Sequence, residues 1–299
     1  MNGQASELLL SREEALLRVW HAWVSWHLRE QGLEHVLIKG ATWHPRLRLL
    51  NVQSRDIDVL VSAGDFPSAV ATLVEAGWVP NHGTVGVDTE GALHSIVLSR
   101  AGGPEVDLHH QFPGVVRDNR SWKRLRLEIE SVAIAARQVP ALSLSAQVLV
   151  AAASAARDGA ESRAALRLTG FDGSWEPVAQ LAADLDAGGA LRAGLVAAGL
   201  DVIADELGLP ESPPRFRATG TVGWRRLEEI LDQPWPLRLR AGFRELWPTR
   251  QALDYAYPGE RTSFARLRHF QLVATELPRA MVSALRARRD PSDSGLSRH

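Results

Sequence analysis

A chain of 299 residues with 45% apolar and 23% charged residues has the composition of a globular protein large enough for one big domain or two ordinary ones. Its formal net charge of -1 excludes a whole-protein electrostatic footprint for nucleic acid, and the absence of cysteine excludes disulfides, thiolate metal sites and a cysteine nucleophile. The opening "MNGQASELLLSREEALL" has neither the basic start nor the long apolar centre of a signal peptide, and "VLVAAASAA" at 148–156 falls far short of the about 20 residues that cross a bilayer. A cytoplasmic protein with no membrane partner is the expectation.

In chain order, Ser11 and Glu14 form a capping box that opens a helix. It carries Leu16, Leu17, Trp20, Trp23, Val24 and His27 on one stripe and ends before Gly32. A strand over 35–39 follows, and then a helical segment from Gly40. The run "DIDVLV" at 56–61 reads as a second strand. Asp65 and Pro67 start a helix that Gly77 stops. Strands over 78–82, 93–98 and 104–109 are separated by the glycine-rich turns "HGTVGVDTEG" and "RAGG". A last extended piece near 129–136 precedes Pro140. From Ser143 the chain turns alanine- and leucine-rich and helical, interrupted by the proline-rich "GLPESPPRFRATG" and closed by "SFARLRHFQLVATELPRAMVSALRARR". An α/β unit followed by a helical part is expected.

The chemistry concentrates in "VLIKGATWHPRLRLLNVQSRDIDVLV". Side chains alternate along a strand, so Asp56 and Asp58 share one face while Ile57, Val59 and Val61 take the other. Two carboxylates a few ångströms apart repel, and burying them calls for a cation; hard oxygen ligands suit Mg²⁺ or Mn²⁺. Relieving that repulsion, for example by Asp58→Asn, is expected to raise the melting temperature of the metal-free protein. The strand "PEVDLHH" adds Asp107, with Glu105 and His109 on the same face. Three carboxylates from two strands match the needs of two-metal phosphoryl or nucleotidyl transfer. Ahead of them, Lys39 and Gly40 form a strand-to-helix turn. Glycine admits an anion close to the backbone, a helix start offers free N–H groups, and Lys39 adds a point charge. Lys39 and Lys123 are the only lysines in a chain whose other basic residues are arginines.

The succession of "IKGA", "RDIDVLV", a helix ending in "EAGW", and "VDLHH" resembles the bacterial uncharacterised nucleotidyltransferase family of the DNA polymerase β-like superfamily. "VPALSLSAQVLV" and "ELWPTRQALDYAYP" extend the likeness into the helical part. The resemblance implies a polymerase-β-like palm with a mixed sheet over 1–140, followed by an all-helical domain over 141–299. It implies Asp56 and Asp58 as metal ligands, Asp107 as third ligand or general base, and Lys39 and Gly40 at the phosphates. Thr42 and Arg55 are further candidates there, although Arg55 points to the opposite side of its strand. His109 and Glu105 would stand behind the ligands. Mg²⁺ (or Mn²⁺) is the implied cofactor and an NTP the co-substrate. The chain departs from the superfamily in having Ala41 after Gly40 where a serine is usual, and in having no histidine in "VAAASAARDG".

Other signals are weaker. His44, His82, His94, His109 and His110 lack any HExxH-like spacing and read as partly buried or supporting residues. No G-x-S-x-G elbow, dinucleotide fingerprint or P-loop occurs. Arginine clusters such as "NRSWKRLRLE" and "PLRLRAGFR" fit solvated helix faces better than a nucleic-acid groove. The expected activity is transfer of NMP from NTP to an acceptor hydroxyl on a small molecule, peptide or RNA, with release of pyrophosphate. The rivals are a non-catalytic, antitoxin-like binding partner of the same fold and an RNA-directed nucleotidyltransferase.

Overall fold

The computed structural model describes residues 12–49, 54–87, 93–111 and 119–211, together with 253, 262–264, 266–268 and 270–271. The expected cap at Ser11, all of "ELWPTRQALDYAYP" but Leu253, and most of the closing helix lie outside these residues. Helix α1 (Arg12–Glu30) leads into strands β1 (His35–Leu37) and β2 (Asp56–Val61), helix α2 (Phe66–Glu75), and strands β3 (Val79–Val87), β4 (Leu93–Ser99) and β5 (Glu105–His109). Helix α3 (Asn119–Leu125) and strands β6 (Ile129–Ile134) and β7 (Arg137–Leu142) complete the sheet-bearing half. Helices α4 (Leu144–Asp158), α5 (Arg163–Thr169), α6 (Glu176–Asp184), α7 (Gly188–Ala197) and α8 (Asp201–Glu206) follow. The expected α/β class with a mixed sheet and a helical second part is what the chain adopts.

The seven strands form one sheet in the order β3-β4-β5-β2-β1-β7-β6. β2 and β5 are parallel neighbours at its centre, and β1 and β7 are also parallel; the remaining pairs are antiparallel. Period-two alternation divides the core into two layers. Ile57, Val59, Val61, Val106 and Leu108 join α1 and α2 on one face. Leu60, Val36 and Ile38 turn to the other, where they pack with α4 and its neighbours. Asp58 thus lies on the face that the helical half covers.

Helix α4 is the centrepiece of that half. Ser143 caps it by accepting from Ala146 N, and Gly159 ends it at φ +87°. Its small residues let α7 come close: a Cβ on Gly194 would stand 2.2 Å from the Ala152 carbonyl oxygen.

Four expectations need correction. Gly40 does not start an α-helix; two short 3₁₀ turns, Gly40–Thr42 and Pro45–Leu47, take its place. Pro45, five residues on, has no N–H to continue a helix begun at Gly40 and opens the second turn instead. The buried stripe of α1 runs through His21, Val24, Ser25 and Leu28, while Leu16 is half exposed. Trp20 and Trp23 pack at the margin with Trp78, and the Arg100 guanidinium lies 4.9 Å from the Trp78 ring centroid. Finally, β7 was hidden by Pro140, since proline weighs against a strand interior. It is tolerated here because β1 pairs with β7 at a single position, Leu37 with Ala141. β3 also runs further than expected, through the glycines to Val87.

Candidate active site

The site begins with register. β2 and β5 pair so that Asp56 stands opposite Glu105 and Asp58 opposite Asp107. Two residues further along β5, on the same face, comes His109. His109 Nε2 is 3.0 Å from Asp107 Oδ2 and 3.5 Å from Asp58 Oδ1. One donor atom from each of Asp58, Asp107 and His109 lies within 4.8 Å of the other two. Asp58 and His109 are buried, while the Asp107 side chain is 28% exposed. Asp107 Oδ1 is itself buried and has no hydrogen-bond partner among the described residues.

Lys39 arrives from β1. The Ile38 N–H donates to the Asp58 carbonyl at 3.2 Å, and this carries Lys39 alongside, with Nζ 2.9 Å from Asp58 Oδ1. Burial by itself would raise the Asp58 pKa; the charge of Lys39 and the bond from His109 overcome it and hold the carboxyl well below the usual range. His109 shows the converse. Burial lowers it, but Asp107 and Asp58 raise it to about 9. The repulsion expected between carboxylates is thus already answered inside the protein.

The Lys39-Gly40 turn is built from both sides. Gly40 has φ +69°, which favours glycine, and a Cβ there would lie 2.6 Å from His21 Nε2. His21, wholly buried in α1, donates from Nδ1 to Leu17 O at 2.8 Å and accepts the Ala41 N–H at Nε2. Burial lowers its pKa, in keeping with a neutral ring. From the other layer, buried Gln147 of α4 donates to Thr42 O and Leu142 O and accepts from His44 N at 2.7 Å. Neither His21 nor Gln147 was singled out in the sequence. A polar residue recurring in an apolar helix stripe was the available signal.

The remaining candidates are distributed as follows. Thr42, expected at the phosphates, is buried and its hydroxyl donates to Lys39 O at 2.7 Å, so it braces the turn from within. Asp56 is half-buried and accepts from Ser54 Oγ at 3.0 Å; it stands outside the close group of Asp58, Asp107 and His109. Glu105 is exposed across from it. Arg55 is exposed and lines a cleft of about 590 Å³ with Leu17 and Trp20 of α1, Ser54, Pro104 and Arg163 of α5. Ser54 joins that cleft to Asp56. His44 accepts from Arg46 N in its turn, and His110 packs edge-on to Phe66; the side chains of His82 and His94 lie outside the described residues. Arg157, at the end of α4, pairs with Asp158 at 2.8 Å, a bond that raises its pKa, with lesser contributions from the charges of Asp58 and Asp107.

A family model described as an uncharacterised nucleotidyltransferase matches residues 13–199. No curated protein matches the chain. Among solved structures, the lincomycin-bound lincosamide antibiotic adenylyltransferase LnuA is 14% identical with a TM-score of 0.36, over 54% of this chain and 96% of that one. An antigenic nucleotidyltransferase-like protein from Paracoccidioides brasiliensis is 15% identical with a TM-score of 0.37, over 68% of this chain and 96% of its own. At this degree of superposition neither likeness bears on what the present chain binds. No helix among the described residues is long and apolar enough to cross a membrane.

Proposed function

Since the chain belongs to the uncharacterised nucleotidyltransferase family, we propose that it transfers NMP from an NTP to an acceptor hydroxyl and releases pyrophosphate. The observation that carries this reading is the pairing of Asp58 with Asp107 across parallel central strands, with Lys39 on the same cluster. The donor set suits a divalent ion: two carboxylates converge, and Asp107 keeps a buried oxygen with no partner among the described residues. Asp58 and Asp107 would hold that ion, which would supply the charge that screens the triphosphate and stabilises the leaving pyrophosphate.

The chain's own groups divide the remaining work. Lys39, which pairs with Asp58 at 2.9 Å, would be free as a point charge for the β- and γ-phosphates were Asp58 to hold an ion instead. Gly40 and His21 fix the shape of the turn that carries Lys39, and Ala41 brings no hydroxyl to it. The acceptor oxygen bonds to the α-phosphorus as the bond to the bridging oxygen of pyrophosphate breaks. The acceptor's proton passes to Asp107, whose partial exposure leaves it reachable. Asp56 extends the acidic face toward the Ser54–Arg55 cleft, which has room for a small-molecule acceptor or the nucleoside. A palm over 1–140 and a helical domain over 141–299, working in a cytoplasmic setting, complete the proposal.

The test is direct binding of each NTP with and without divalent metal, followed by pyrophosphate release. Metal-dependent binding with release supports the reading. Failure to bind any NTP leaves the antitoxin-like partner role, and salt-dependent retention of tRNA would identify the RNA-directed enzyme.

A further inference from the structure

The close donor group differs from the carboxylate trio that the sequence suggests, and the difference has a chemical consequence. Asp56 is drawn aside to Ser54, and the third donor beside Asp58 and Asp107 is an imidazole nitrogen. Bonds of about 2.1–2.2 Å place neighbouring donors about 3.0 Å apart around an octahedral ion and about 3.5 Å apart around a tetrahedral one. The two edges at His109 Nε2 measure 3.0 and 3.5 Å. All three donor atoms lie within 4.8 Å of one another, close enough to form one face around a small ion once their side chains draw together.

That face is fixed by the fold. β2 and β5 are central strands in unbroken register from Asp56–Glu105 to Leu60–His109, and both Asp58 and His109 are buried. Mg²⁺ favours oxygen donors and retains its waters, whereas imidazole suits the borderline first-row ions. Resting on the nucleotidyltransferase reading for the presence of an ion, we infer that His109 is a direct metal ligand with Asp58 and Asp107, and that the site selects a transition ion such as Mn²⁺ over Mg²⁺.

The test is titration of the full-length, metal-free chain with MnCl₂ and with MgCl₂, alongside pulsed EPR of the Mn²⁺ complex with and without ¹⁵N-histidine. Mn²⁺ is expected to bind at least about tenfold more tightly than Mg²⁺. The EPR spectrum is expected to carry a nitrogen coupling that changes with the isotope. His109→Ala should weaken Mn²⁺ by about 10- to 100-fold, at least the loss typical of disturbing a ligand's supporting shell, with a much smaller change for Mg²⁺. No nitrogen coupling in the wild type, or an unchanged Mn²⁺ to Mg²⁺ ratio in a folded His109→Ala protein, would overturn the assignment. The wild-type spectrum decides the matter even if the variant does not fold. Nitrogen-coupled Mn²⁺ in a protein that binds no NTP would uphold the metal site and defeat the transferase reading instead. Metal-dependent NTP binding without nitrogen coupling would do the reverse.

Discussion

Lys39 Nζ and Asp58 Oδ1 lie 2.9 Å apart, with the lysine side chain 21% exposed and the aspartate 5%. The pair joins the end of β1 to the start of β2. Together with His109 it makes the carboxylate cluster self-compensating in the absence of an ion. This reverses one expectation drawn from the sequence, that removing a carboxylate would relieve strain.

Asp58→Asn should therefore destabilise the metal-free protein, by about 1–3 kcal/mol, because it leaves Lys39 and His109 facing a neutral amide in a buried site. Metal-dependent nucleotide turnover should vanish while the protein remains folded. Thermal melts and pyrophosphate release check the two halves. A raised melting temperature would return the site to the simple repulsion picture.

Stability should also fall between about pH 6.5 and 9. The folded His109 pKa is raised to about 9, so the native state binds a proton that the unfolded chain gives up near pH 6.5. Its contribution is complete below that value and lost as pH rises through 9, on the order of 1–3 kcal/mol. Buried His21 and His35 are shifted downward, so their effect falls below pH 6.5 and with the opposite slope. Denaturant midpoints of wild type and His109→Gln across this range are the measurement; the variant's profile should be flat.

Lys39→Ala should weaken triphosphate binding by about 1.5–3 kcal/mol, the worth of a charge-assisted hydrogen bond, and monophosphate binding much less. Calorimetry with ATP and AMP separates the cases. Equal losses for both would place the lysine away from the β- and γ-phosphates.

Gly40→Ala meets two obstacles, a positive φ and the His21 ring 2.6 Å from the new Cβ. The substitution should cost about 2–3 kcal/mol, of which about 1 kcal/mol is the backbone conformation alone. In a His21→Ala background its cost should drop toward that lower figure. A double-mutant cycle by chemical denaturation reads the coupling, and additive costs would mean that the turn shifts away from the ring.

Asp107→Asn should slow transfer by a factor on the order of 10² to 10⁴, the usual worth of a positioned base, with a far smaller loss in triphosphate affinity. Single-turnover kinetics at saturating NTP isolate the chemical step. Full-rate transfer by the variant would move the base to Glu105 or to solvent.

The local parts of this protein follow from short-range rules. Alternation put Asp56 and Asp58 on one face of β2, and the strand ends where "DIDVLV" ends. The Lys39-Gly40 turn, the α2 boundaries at Asp65 and Gly77, and the Ser143 cap are equally local, because backbone sterics and nearby hydrogen bonds decide them. The family likeness was legible for the same reason, since its motifs are short and contiguous.

Pairing at a distance was decided elsewhere. Alternation treats Asp56 and Asp58 alike, but the parallel register of β2 with β5 sets Asp58 against Asp107 and His109 and leaves Asp56 to Ser54. Lys39 meets Asp58 because β1 runs antiparallel to β2. His21 and Gln147 reach the Gly40 turn from opposite layers, 20 and 105 residues away from the groups they hold. A side chain's type states what it can bind, whereas strand order and register determine which partner lies within bonding distance. For this chain the sequence by itself supplied the carboxylates, the lysine and the glycine; tertiary structure chose the three donors that converge and the cation that faces them.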